Sequence, residues 1–329
     1  MNILLIGLGS IGKRHLRNIL SLGYKHVSVV SNSFAANAEF EKVRVYKNLD
    51  NAFASNYFNT AFVCSPTAFH IEQLIILLKQ KVKSIYVEKP LSNSLQNLNE
   101  VLQCADEYSP NIVVGYDLHF DPGIQKIREW IKENRIGKII SANAFAGQHL
   151  SQWRPYEDHR QGMSAQKETG GGVMLDLIHE VDYLYWLFGN VETVACNYIH
   201  TGDLEIETEE AAEMLLKFSN GVTATVHLDY WQPKLKRFCI LTGTKGTIYW
   251  DLAEQKVTVI NLQGEQEKFS YQSFNRNDRF ICIVKTFLEN VDDERLTKLS
   301  GAIESLKIIL AAKQAAENDC VMKMVNGEW

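Results

Sequence analysis

Four aliphatic residues, Ile3-Leu4-Leu5-Ile6, run directly into Gly7-Leu8-Gly9-Ser10-Ile11-Gly12, and a helical pattern (Ile11, Leu16, Ile19, Leu20) follows and closes at Gly23. A strand, then G-x-G-x-x-G, then a helix leaves few folds open, because each glycine has its own task. One makes the tight turn, one leaves room for a pyrophosphate and one lets the helix pack closely on the strand. The helix start adds unpaired N–H groups and positive potential for phosphates. Gly7, Gly9, Ser10, Ile11 and Gly12 are therefore candidate dinucleotide contacts. A glycine loop without a ligand is the bland alternative, and the flanking strand and helix argue against it.

The following units keep the same beat. Val27-Ser28-Val29-Val30 reads as a second strand ending at Ser31-Asn32-Ser33. An NAD-specific site usually carries an acid here for the ribose hydroxyls. This loop is neutral, so a 2′-phosphate would meet no repulsion and the cofactor can be NAD or NADP. Ser31, Ser33 and Arg14, one turn into the first helix, are candidate partners at that end. Thr60 to Cys64 is a strand, and Ser65-Pro66-Thr67 leads past His70 into a helix through Lys79. Ser84 to Val87 is another strand, ending on Glu88-Lys89-Pro90; a helix from about Ser94 to Glu107 precedes the strand Ile112 to Gly115. Alternating strands and helices predict a parallel, doubly wound sheet over 1–119. Ligands on such sheets sit at the carboxyl ends of the strands. Gly7, Ser65, Lys89 and Tyr116 all fall there, so Ser65, Thr67, His70, Glu88 and Lys89 join the cofactor set and Tyr116 the substrate set. A lysine after a strand is by default a solvated loop residue; before a proline at this edge, Lys89 reads as a functional cation.

Past Tyr116 the pattern changes, and 120–329 is expected to form a second domain. Asp121-Pro122 starts a helix ending near Gly137, and Ile139 to Phe145 reads as a strand. The segment from Gly147 to Thr169 is long and aperiodic, which marks functional or disordered loops. Its Trp153, Arg154, Tyr156, His159 and Arg160 favour function, since they can pack on and hydrogen-bond a polar ligand. Gly170-Gly171-Gly172 then opens one helix, closing at Gly189, with an apolar side of Val173, Leu177, Val181, Leu184, Tyr185 and Phe188. Asp176, His179, Glu180, Asp182 and Tyr183 gather opposite, with Asp176 and His179 neighbours at i and i+3. Such a face is ordinarily solvated. Three residues without side chains before it point instead to close backbone approach to a ligand.

Beyond this helix the period becomes two. Met214, Leu216 and Phe218 lead through Asn220-Gly221, a hairpin turn, to Val222, Ala224, Val226 and Leu228. Phe238 to Leu241 and Thr247 to Trp250 add strands to an open, mostly antiparallel sheet with one face on the central helix. Its other face needs cover, and a second copy of the chain is the economical choice, giving a homodimer or homotetramer. Arg279 to Asn290 and Gly301 to Ala316 are expected helices. The fold class is α/β: an N-terminal Rossmann dinucleotide-binding domain plus a C-terminal α+β domain.

Composition narrows the partners. Charge is 34 − 39 = −5 without a long basic run, which argues against nucleic acid. Six cysteines lack C-x-x-C pairing or ligand-like grouping with histidine, which argues against a metal and for a reducing, cytoplasmic setting. The strand-like start predicts no signal peptide. No apolar run approaches the roughly 20 residues of a membrane span.

Several motifs in this order together resemble the Gfo/Idh/MocA-type oxidoreductases: G-L-G-S-I-G, Glu88-Lys89-Pro90, Val114-Gly115-Tyr116, and Gly170-Gly171-Gly172 running into Asp176, His179 and Asp182. The likeness spans Met1 to about Ala316. It implies NAD(P)-dependent redox chemistry at a carbon bearing a hydroxyl, on sugars, sugar nucleotides or related polyols, and oligomerisation through the open sheet. Carried over by position, Lys89 matches the lysine that contacts the reacting oxygen, Pro90 its companion proline, and Asp176 and His179 the acid and histidine of the substrate helix. The sequence departs in two places. Two residues rather than three separate Asp176 from His179, and His119 stands where the family has an arginine. The Trp153-Arg154-Pro155 segment and the H-E-V-D-Y run resemble a branch associated with bacterial surface-polysaccharide or amino-sugar pathways.

The chemistry follows from the residue types. An unperturbed imidazole titrates near 6.5, which suits His179 to general-base work on the alcohol. Lys89 can donate to the developing oxyanion, and Asp176 can orient either group. Two other readings share these residues: a sensor that binds NAD(P) and a sugar without turnover, and a lyase or epimerase in which hydride leaves and returns with no net change in cofactor.

Overall fold

The computed structural model describes residues 1–31, 40, 43–155 and 157–324. The chain divides into two compact units, 1–117 with 276–303 and 118–275 with 304–329. The expected contiguous division into 1–119 and 120–329 thus gives way to an interleaved one, because a late helix returns to the first unit.

The first unit is built on six parallel strands: β1 (Ile3–Ile6), β2 (Val27–Val30), β3 (Arg44–Tyr46), β4 (Thr60–Val63), β5 (Ser84–Val87) and β6 (Asn111–Val114). They lie in the order β3-β2-β1-β4-β5-β6. β1 and β4 are buried at every residue, the near-continuous apolar reading of strands covered on both faces. The connecting helices are α1 (Ser10–Ser21), α2 (Leu49–Ser55), α3 (His70–Lys79) and α4 (Leu98–Tyr108). α1 buries Gly12, His15, Leu16, Asn18 and Ile19. β3 and α2 were not legible in the sequence; β3 is a three-residue edge strand without a period to read.

The second unit opens with α5 (Pro122–Lys132), whose Asp121 carboxylate caps it by accepting from the Gly123 amide. Its sheet holds β7 (Ile139–Gly147), β8 (Val191–Ile199), β9 (Ala211–Phe218), β10 (Thr223–Asp229), β11 (Lys236–Gly243), β12 (Gly246–Asp251), β13 (Lys256–Asn261) and β14 (Gln266–Ser270). The order is β14-β13-β12-β11-β7-β10-β9-β8, and every neighbour pair is antiparallel except β7 with β10. Met214, Leu216 and Phe218 of β9 alternate with the outward Glu213, Leu215 and Lys217, as period two requires. The expected single helix after the triglycine is two: α6 (Val173–Asp176) and α7 (His179–Phe188), broken at Leu177 and Ile178.

The chain then returns. α8 (Arg276–Glu289) packs on α1, with Asn277 donating to Asn18 at 2.9 Å. The short strand β15 (Thr297–Lys298) pairs antiparallel on the β6 edge. The division between units falls within α9 (Leu299–Glu317), and β16 (Met322–Lys323) closes the second sheet beside β8. No helix among the described residues is long and apolar enough to cross a membrane.

Candidate functional site

The three glycines of the first loop divide the labour as the pattern predicts. Gly7 has φ +93°, and a Cβ there would lie 2.7 Å from the Cys64 carbonyl oxygen. Gly12 sits so close to the turn that a Cβ would meet the Gly7 carbonyl oxygen at 2.0 Å, which makes it the helix-packing glycine. Only Gly9 faces open space, with nothing within 4 Å of an added Cβ. Gly9 is also the N-cap of α1, and no side chain caps that helix and no acid stands in its first turn. An uncapped helix start beside an open glycine fits a dinucleotide pyrophosphate. Ser10 and Ile11 begin that turn.

Around this loop the other strand ends are held by protein partners. Arg14 stacks its guanidinium over Phe280 at 4.5 Å. The Ser31 amide donates to the Tyr46 carbonyl, while Ser33 lies outside the described residues. Ser65 donates its hydroxyl to Gln73, and Thr67 is buried in the turn before α3. His70 is buried with Nδ1 2.9 Å from the Pro90 carbonyl oxygen and Nε2 2.9 Å from that of Ser65. Burial holds its pKa below the ordinary histidine value. Glu88 is buried too: one oxygen lies 2.6 Å from His15 Nε2, and the other accepts from the Lys89 amide at 3.3 Å. Lys89 is half-buried and its bond to Pro90 is cis. Tyr116 is wholly buried just past β6. His70 and Glu88, expected at the cofactor, thus make hydrogen bonds within the protein.

In the second unit the polar face of the central stretch is buried rather than solvated. Asp176 is 5% exposed, His179 7%, Glu180 0% and Asp182 2%, so each needs a partner. Asp176 Oδ2 accepts from the Tyr230 hydroxyl at 2.7 Å; burial, then the Asp176 charge, pushes that phenol well above its ordinary pKa. Glu180 pairs with Arg237 at 2.9 Å. Asp182 lies 2.8 Å from His119 Nε2 and accepts from Ser305 at 3.0 Å. His119 is itself 1% exposed and stacked on Trp186 at 4.1 Å, a placement inside this unit's polar network. The triglycine reading needs correction. Gly171 leaves room for the Met163 and Ser164 carbonyl oxygens, and Gly172, at φ +112°, for the Glu209 carboxylate. The close approach is to the protein's own groups. Asp176 ends α6 and His179 starts α7, so they do not share one helical face.

The long segment folds into short 3-10 turns around a small open recess lined by Leu150, Trp153, Arg154, Glu157, His159, Gly162 and Ser164. Trp153 donates its indole N–H to the Gln148 carbonyl and meets Tyr230 edge-on at 5.3 Å, so Tyr230 touches both the recess wall and Asp176. Arg160 is turned elsewhere: it pairs with Asp158 and Glu205, and its hydrogen bonds hold the Asp158 carboxyl down to about 2. Tyr156 lies outside the described residues. Tyr230, Glu209 and Arg237 were missed by sequence reasoning. The signal for Tyr230 was available, because it continues the inward series Ala224, Val226, Leu228.

Residues 1–116 match the oxidoreductase family's NAD-binding Rossmann fold, and residues 124–249 match the Gfo/Idh/MocA C-terminal domain. The chain belongs to the Gfo/Idh/MocA oxidoreductase family. It is 28% identical over 211 residues to the 2,7-anhydro-N-acetylneuraminate hydratase of Escherichia coli, a match covering 63% of this chain and about half (55%) of that relative. It is 25% identical over 348 residues to the myo-inositol 2-dehydrogenase of Thermotoga maritima, covering 98% of each chain. In fold it is similar to a levoglucosan dehydrogenase solved with NADH and levoglucosan, with a TM-score of 0.83 at 15% identity over 98% of this chain and 99% of that one.

Proposed function

We propose that this Gfo/Idh/MocA member moves a hydride between nicotinamide and a hydroxyl- or keto-bearing carbon of a sugar, sugar nucleotide or related polyol. The observation that carries the reading is the glycine loop, where Gly9 opens onto space at the uncapped start of α1 while Gly7 and Gly12 are consumed by packing. The bound nicotinamide would supply or accept the hydride. The protein's share is to bind, to orient and to manage one proton. Lys89 is the donor assigned to the substrate oxygen as its charge changes, from a backbone held by Glu88. His179 is assigned the proton as general base. Asp176, already engaged by Tyr230, is assigned to orientation. The recess beside Trp153, Arg154 and His159 is assigned to the sugar, with an apolar wall and cationic or imidazole groups for its polar edge.

A second reading has one observation behind it. A relative whose name is hydratase performs a net hydration, which favours chemistry with no net change in cofactor. Titration with NADH and NADPH, then mixing of the oxidised forms with a panel of polyols, separates the readings. Net reduced nicotinamide supports the dehydrogenase; substrate conversion without it supports the second. Binding without any conversion leaves a sensor.

The outward face of the second sheet carries Leu215 and Tyr249, 47% and 44% exposed, with His227, Phe145 and Phe238 stacked beside them across β10, β7 and β11. This face is assigned to a second copy of the chain, in a homodimer or homotetramer.

A further inference from the structure

Lys89 is bracketed by two buried histidines that belong to different helices. On one side, His15 of α1 is fully buried, with Nε2 2.6 Å from Glu88 Oε1, and the other Glu88 oxygen accepts from the Lys89 amide. On the other side, His70, the first residue of α3, holds the carbonyl of Pro90. His15 is packed edge-on against Tyr86 at 5.2 Å and lies 6.1 Å from both Phe62 and Phe280. Its Nδ1 is buried without a hydrogen-bond partner among the described residues. A side chain wanted only for packing at that spot would be apolar, since a buried ring nitrogen without a partner is destabilising. The polar ring is retained with one nitrogen idle and the other directed at Glu88.

We propose that His15 is a positioning residue for Lys89, acting through Glu88, and that it ties the lysine's backbone to the helix that begins at the dinucleotide loop. The inference rests on the proposed redox role of Lys89. The contacts form a short series: α1 carries His15, His15 fixes Glu88, Glu88 accepts the Lys89 amide, and His70 fixes the next residue. A backbone held on both sides fixes the point from which the lysine side chain extends. Pre-organisation of this kind is what a donor to a developing charge requires, because no reorganisation is then needed during the reaction.

The test compares His15→Phe, which keeps the ring and removes the donor, with His15→Gln, whose amide nitrogen stands near the position of Nε2. Glu88→Gln is the second route should His15→Phe fail to fold. The first readout needs no substrate. The amine of Lys89 is labelled in the full-length protein with acetic anhydride, and the rate is read by peptide mass spectrometry against the exposed Lys25 and Lys83. Labelling of Lys89 should rise several-fold relative to these in His15→Phe and in Glu88→Gln, and stay near wild type in His15→Gln. The second readout is turnover: kcat should fall about 10–100-fold in His15→Phe with KM and NADH affinity nearly unchanged, the scale of a small misplacement of a reacting group. An unchanged Lys89 labelling ratio in both Glu88→Gln and His15→Phe would overturn the proposal, as would His15→Gln behaving like His15→Phe. Failure of the redox reading would look different: wild-type protein would show no NAD(P)H binding or turnover, whatever Lys89 labelling does.

Discussion

Two single-methyl substitutions in the same loop should have opposite consequences. In Gly12→Ala the new Cβ would stand 2.0 Å from the Gly7 carbonyl oxygen. An ordinary carbon–oxygen contact needs about 3.3 Å. The helix start and the turn must therefore separate by about 1.3 Å, or the backbone must distort, and overpacking of this kind costs roughly 1–3 kcal/mol. In Gly9→Ala the Cβ meets nothing within 4 Å, and φ of −65° is open to alanine. The folded protein should keep its stability within about 0.5 kcal/mol, because a poorer N-cap and a less flexible unfolded chain nearly offset one another. Its methyl group instead enters the space assigned to the pyrophosphate. Losing one hydrogen bond to a charged group there costs about 1.5–3 kcal/mol, a fall of roughly 10–150-fold in affinity. Urea unfolding reports the first quantity and NADH and NADPH fluorescence titration the second. Full cofactor affinity in a folded Gly9→Ala protein would refute the assignment of the open space, and unchanged stability in Gly12→Ala would refute the packing argument.

Further expectations concern single contacts. Tyr230→Phe removes the hydroxyl that Asp176 accepts from, a buried bond to a charged group, and should lower stability by about 1.5–3 kcal/mol in urea unfolding. Ser31→Asp should lower the ratio of NADPH to NADH affinity by about fivefold or more, the factor for ~1 kcal/mol of repulsion, if Ser31 lies near the ribose; an unmoved ratio places it elsewhere. His227 has its pKa raised, chiefly by its hydrogen bond to Asp229 and against the effect of burial. That stabilisation is complete below the ordinary histidine value of about 6.5 and is lost as pH rises through the raised value, so His227→Gln should flatten the pH dependence of the unfolding midpoint over that window. Light scattering at micromolar concentration should show at least a dimer, and a monomer alone would contradict the role given to the open sheet face.

The sequence made the first unit legible because its signals are local. A strand, a glycine series and a helix lie consecutively, and the parallel strands read as unbroken apolar runs. β3 and α2 escaped because a short edge strand has no period, and the return of α8 to the first unit escaped because docking partners of a helix are not written in its own stripe. The second unit shows where spacing misleads. Asp176 and His179 at i and i+3 would be neighbours on a continuous helix, but the break at Leu177 and Ile178 removes that relation. The acids of α7 read as a face turned to a ligand because their partners, Arg237, Ser305 and His119, come from distant parts of the chain. The triglycine was rightly seen as a place of close approach, yet what approaches is Glu209 and the 163–165 turn, which a one-dimensional pattern cannot show.

The central claim is hydride transfer assisted by Lys89, and rapid mixing tests it most directly. Wild-type protein saturated with NAD or NADP would be mixed with sugars, inositols and sugar nucleotides while reduced-nicotinamide absorbance is followed, and Lys89→Met would be run beside it. The account predicts that at least one polyol produces reduced nicotinamide with the wild type. It predicts that Lys89→Met slows that phase by about 10²–10³ while cofactor affinity holds, the usual loss for one donor to a developing oxyanion. Wild-type speed in Lys89→Met, or no reduced nicotinamide from any of these substrates, would contradict it.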